Sequence, residues 1–154
     1  MKSTKALLAA LLIVAGCTPP KPPELAAGQT WSVESRRGDG ASSVTVLHLE
    51  PTSPFGPVAV VSINNVVLKV PHMGTVNGIQ PVFFTLPALK NSLTTFEANQ
   101  TRALPYESYL VRWREVVKGD VGEKYVFSVP VKEALDMIEK GKTEPWALHS
   151  FKQP

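Results

Sequence analysis

The apolar and polar positions divide the chain into three stretches. Residues 6–14 are apolar without a break. Residues 18–28, "TPPKPPELAAG", hold four prolines, which fix φ and remove amide donors, so this stretch is predicted to be an extended spacer. From residue 29 onward, periods of two and of 3.6 residues take over. Residues 31–35 and 43–50 read as strands joined by "RRGDGAS", a polar, glycine-rich turn. The second strand, "SVTVLHLE", alternates loosely. Val44, Val46 and His48 fall on one face and Thr45, Leu47 and Leu49 on the other, so both faces are mostly apolar. Residues 58–70, "VAVVSINNVVLKV", are rich in β-branched side chains and predict one long strand, with Asn64 and Asn65 on an exposed part of it. "PVFF", ending at Phe84, predicts a short fourth strand, and "EKYVFS", from Glu123, a fifth.

Helical spacing occurs three times. Leu86, Leu89, Leu93 and Phe96 form one stripe, Tyr106, Tyr109, Leu110, Trp113, Val116 and Val117 a second, and Val131, Ala134, Leu135 and Ile138 a third. Gly119 and Gly141 stand just past the second and third, where a left-handed residue often ends a helix. "FTLPALKNSL" and "FSVPVKEAL" share one design: an aromatic strand end, a hydroxyl expected to cap a helix (Thr85, Ser128), and a proline in the first turn. These elements predict an α+β fold, a single small domain with a mainly antiparallel sheet and about three helices packed on one face.

The order of "VVSINNVVLK", "LPALKNSLTTF" and "YLVRWREVVKGDVGEKYVFSVPVKEALDMIE" resembles a family of small uncharacterised bacterial proteins, over residues 58–139. That resemblance brings no catalytic motif and implies no function. A second resemblance lies at the N-terminus. Residues 1–16 have the parts of an export signal, with Lys2 and Lys5 leading an apolar run too short for the about 20 residues a bilayer span needs. The run ends on Val14, Ala15, Gly16 and Cys17, which resemble the lipobox of bacterial lipoproteins. That resemblance implies that Cys17 becomes the first mature residue and carries the lipid. With Thr18 and not aspartate next, it implies sorting to the outer membrane, facing the periplasm. The expected organisation is a signal peptide (1–16), a lipidated proline-rich tether (17–28), a binding domain (29–142) and a tail (143–154). At about 3.1 Å per residue, such a tether would hold the domain roughly 30 Å from the lipid.

Loss of residues 1–16 removes two lysines and lowers the formal charge from +3 to +1, which gives no footprint for nucleic acid. Cys17 is the only cysteine, so the domain is expected to fold as a monomer without a disulfide, held by its core.

His48, His72 and His149 have no second ligand at metal spacing, and no nucleophile elbow, phosphate loop or HExxH is present. No cofactor, metal or enzymatic activity is expected. Arg36, Arg37 and Asp39, on what reads as a projecting turn, are candidates for contact with a protein partner, together with Phe55 between prolines and Met73 in a loop. The expected function is an immunity protein or enzyme inhibitor against an antibacterial toxin. The alternative is a structural or accessory lipoprotein of an envelope secretion or transport machine.

Overall fold

The computed structural model describes residues 21–71, 73–100, 105–118 and 122–143. The predicted signal peptide, Cys17, His72, Gly119 and the tail beyond residue 143 lie outside them. Six strands form one sheet: β1 (Gln29–Val33), β2 (Ser43–Glu50), β3 (Val58–Val70), β4 (Gly74–Thr85), β5 (Leu93–Asn99) and β6 (Val126–Phe127). Their order is β5-β1-β2-β3-β4-β6, and every pairing is antiparallel except that of β6 with β4. Three helices complete it: α1 (Leu86–Lys90), α2 (Glu107–Val116) and α3 (Val131–Glu139). The chain is therefore a small α+β domain with a mainly antiparallel sheet.

The helices do not share one face. Ala59, Val61, Ile63, Val82 and Phe84 point toward α1 and α3, where Leu89, Ala134, Leu135 and Ile138 cover them. Val58, Val60 and Phe83 point the other way, under Leu110 and Trp113 of α2. The cause is legible in β3 and β4 themselves: consecutive valines at 60 and 61 and consecutive phenylalanines at 83 and 84 leave both faces apolar, and each needs a cover. Phe83 and Trp113 stack with centroids 4.7 Å apart, and both are fully buried.

Two irregularities set which side chain faces which core. Val46 pairs with Val61, but His48 pairs with Val60, so Leu47 is the extra residue of a bulge. Beyond it the alternation changes phase. Leu47 and His48 both lie on the α2 side, and Leu49 joins Val44 and Val46 on the α3 side. In β3, Asn65 takes a positive φ of 57°, after which Val66, Leu68 and Val70 continue the face begun by Ala59, Val61 and Ile63. Residues 58–70 are thus one strand, as expected, with an irregularity at Asn65 that the sequence pattern did not predict.

Other elements differ from the sequence expectation. The stripe from Leu86 to Phe96 is not one helix: α1 stops at Lys90, and Leu93 and Phe96 belong to β5, which pairs with β1. Leu93 meets Val33 and Phe96 packs edge-on to Trp31 at 5.3 Å, contacts that a helix could not make. The fourth strand begins at Gly74, well before "PVFF". The fifth predicted strand is reduced to Val126 and Phe127 after a short 3-10 turn, Gly122–Tyr125. Neither Thr85 nor Ser128 caps a helix through its side chain. The Val131 amide instead donates to Ser92 Oγ at 2.9 Å, and that of Leu86 to the Pro57 carbonyl at 2.8 Å. Gly141 ends α3 as expected, with φ 64° and its amide bonded to the Ile138 carbonyl.

Candidate functional site

The turn between β1 and β2 was the leading candidate from sequence, and its first and last charged residues point inward. Arg36 Nε and one terminal nitrogen reach the two carboxylate oxygens of Asp39 at 3.0 and 3.2 Å. The same terminal nitrogen donates to the Val67 carbonyl of β3 at 2.9 Å. The other donates to Asp136 and Glu139 of α3 at 3.3 and 3.1 Å. Asp39 also accepts the Val67 amide at 2.9 Å. The Arg36 side chain is 9% exposed and that of Asp39 2%. The planar fork of arginine suits this task, since one side chain ties a turn, a strand and a helix together.

The electrostatics agree with that geometry. The hydrogen bond that Arg36 donates to Asp39, with burial opposing it and the charges of Asp39 and Glu139 adding to it, raises the Arg36 pKa above its ordinary value. Burial pushes the Asp39 carboxyl up. Hydrogen bonds from Arg36 and the Val67 amide, with the Arg36 charge, outweigh it and hold the group below the ordinary carboxylate value. Arg36 and Asp39 are therefore structural, which corrects their reading as projecting contacts. Arg37 remains exposed beside them.

Around this clamp lies a cleft of about 490 Å³, lined by Arg36, Arg37, Asp39, Lys69, Lys132 and Glu139 among others. Glu139 accepts the Lys69 amide at 3.1 Å, and Lys132 pairs with Glu34 at the rim. Val67 and Met73, 41% and 39% exposed, stand on the β3–β4 hairpin that the clamp fixes. Met73 is thus exposed as expected. Phe55 is not: it is half-buried and packs against Leu47, Val58 and their neighbours under α2, because the turn around Ser53 folds it inward. Cys17 lies outside the described residues.

Two further regions were not singled out from sequence. His48 stacks on Tyr106 at 5.5 Å, with Nε2 3.8 Å from Glu50, and Glu50 accepts Arg114 Nε of α2 at 2.8 Å. Trp113 Nε1 is buried and finds no acceptor among the described residues. Beside α2, the same face of the sheet turns polar. Thr30 and Thr45 share a hydrogen bond of 3.0 Å, Asn64 donates to Thr45 at 3.3 Å, Ser62 to Asn64 at 2.9 Å and Gln100 to Thr30 at 3.0 Å. The alternation of Ser43 and Thr45 against Val44 and Val46 was the signal for it. These groups satisfy one another.

No family model, curated protein or solved structure matches this chain. The reading of the site thus stands on its own residues. Among the described residues, no group of His, Cys, Asp and Glu is placed to hold a metal ion, and no helix is long and apolar enough to cross a membrane.

Proposed function

We propose that this chain is a lipoprotein of the bacterial outer membrane, anchored through Cys17 and facing the periplasm, that binds and neutralises a protein partner, as an immunity protein does with an antibacterial toxin. It works by binding, without turnover or cofactor. The observation that supports this most is the Arg36 clamp. By spending its donors on Asp39, Asp136, Glu139 and Val67, Arg36 holds the turn and the β3–β4 hairpin in one arrangement before any partner arrives. Arg37, Val67 and Met73 are then presented on a preformed rim, and pre-ordered loops lower the entropic cost of association. Exposed Arg37 steers an acidic partner, while Val67 and Met73 supply apolar contact.

A second reading, an accessory of an envelope machine, draws on α2. Val111 is 58% exposed on the face opposite the core, next to Arg112, Glu115 and Lys118, and offers a helical docking face.

Competition between a strain lacking the chain and its parent tests the first reading. The deletion strain should be killed by contact with its parent, and the wild-type chain should restore survival. Cys17→Ser should lose lipid mass and restore survival poorly, and Arg37→Glu/Met73→Glu should fold normally yet fail to protect. A deletion strain that competes equally refutes the immunity reading. An N-terminal peptide without lipid refutes the anchor.

A further inference from the structure

The proline-rich stretch expected to act as a free spacer is held to the domain from Glu24 onward. Leu25 packs on the α3-side core. Gln29 fastens the stretch from below: its Nε2 donates to the Glu24 carbonyl at 2.8 Å, and its Oε1 accepts the Ala26 amide and Trp31 Nε1, each at 3.0 Å. Gly28 is held from both sides, donating to the Val46 carbonyl at 2.8 Å and accepting the Gln100 amide at 2.6 Å. Between this stretch and the sheet runs a groove of about 760 Å³, walled by Pro22, Pro23, Leu25, Trp31 and Leu93, with Lys21 and Lys90 among its lining residues.

The length of chain left over decides what this groove faces. Only residues 18–23 separate Cys17 from Glu24, the first residue hydrogen-bonded to the domain, and seven residue steps span at most about 25 Å even fully extended. A domain whose chain is fastened at Glu24 cannot stand 30 Å from a lipid on Cys17. We infer that the groove edge bearing Lys21 and Lys90 rests on the anionic phospholipid surface of the bilayer that holds Cys17, so the domain lies on the membrane and does not hang below it. This rests on the anchored reading above. The two lysines meet lipid phosphates, Glu24 being the one acidic residue of the groove lining. Each lysine at an anionic surface favours the docked state by about fivefold. The β3–β4 hairpin, with exposed Met73 at its turn, is three to four strand spacings away from β5, about 14–20 Å.

Energy transfer in vesicles tests this with the acylated full chain, whose only thiol is used by the lipid. A donor dye is placed at Thr94→Cys, in the groove, or at Met73→Cys, and the acceptor sits on a headgroup in phosphatidylglycerol-containing vesicles. Transfer from residue 94 should be at least twofold that from residue 73. Lys21→Gln/Lys90→Gln, or vesicles of phosphatidylcholine alone, should bring the ratio toward one. Acylated protein with equal transfer from both sites, or a ratio that ignores both lysines, overturns the surface assignment while leaving the anchor intact. An N-terminal peptide without lipid mass overturns the anchor and this inference with it.

Discussion

Replacing Arg36 by alanine separates a clamp from a contact surface. The substitution leaves the Asp39 carboxylate, 2% exposed, with the Val67 backbone amide but no cation. Breaking a buried pair from one side costs about 3–5 kcal/mol, because an uncompensated charge stays buried. Against a total of about 5–15 kcal/mol for a domain, that is a large share, worth roughly 10–20 °C in melting temperature for a chain of this size. Removing both charges in Arg36→Met/Asp39→Leu should cost less than Arg36→Ala alone, since no buried ion is stranded.

The pH dependence supplies an independent sign. In the wild type the Asp39 carboxyl lies below its ordinary value of 3.8, so its contribution is present above that pH and lost as pH falls through the lower folded-state value. In Arg36→Ala the side-chain hydrogen bond and charge that lower it are gone, burial is opposed only by the remaining backbone hydrogen bonds, and the folded-state value rises from its wild-type position. The mutant then loses less on protonation than the wild type does, and the stability gap narrows as pH falls below 3.8 through the wild type's folded-state value. Urea unfolding followed by tryptophan fluorescence at several pH values measures both effects. A loss under about 1 kcal/mol at pH 7, or a gap that widens on acidification, would falsify the clamp.

Trp113→Ala should cost about 3–5 kcal/mol in the same assay, because a fully buried ring stacked on Phe83 is removed. Trp113→Phe should cost less, since the ring stack survives and an unpartnered Nε1 is lost; equal losses would show that the indole hydrogen matters. Gly78→Ala should destabilise by about 1–3 kcal/mol, as φ is 133° and the new Cβ would meet the Ile63 carbonyl oxygen at 3.0 Å. An unchanged melting temperature would mean that the β3–β4 pairing relaxes there.

What the sequence showed and what it hid follow from the range of the interactions involved. Local period sufficed to place β2, β3, α2 and α3, though in β2 the bulge at Leu47 put His48 and Leu49 on the faces opposite to those predicted. It failed for Leu93 and Phe96, because helical spacing and strand membership both fit "LKNSLTTF" until Val33 and Trp31 are brought alongside. The β-branched Thr94 and Thr95 were the available hint. In β4, Gly78 and Pro81 interrupt the alternation, which hid its first half. The fate of Arg36 depends on Asp136 and Glu139, a hundred residues away along the chain, and no window on the sequence joins them. The single-face expectation failed because both faces of β3 are apolar, a property visible at Val60 and Val61.

The place of β5 also fixes an order of assembly. The strands β1 to β4 form a meander of neighbours in sequence, but β5 must return across the sheet to pair Asn99 with Gln29, and β6 closes the far side only at Phe127. Pairings between distant residues form late because loop closure comes first. A growing chain that has reached Thr85 therefore holds four strands with both outer edges bare and Trp31 lacking the Phe96 ring. Unpaired edges and exposed apolar rings are the features that draw chains into aggregates. The interval between the emergence of Thr85 and of Phe127 is when this molecule has the greatest need of a chaperone.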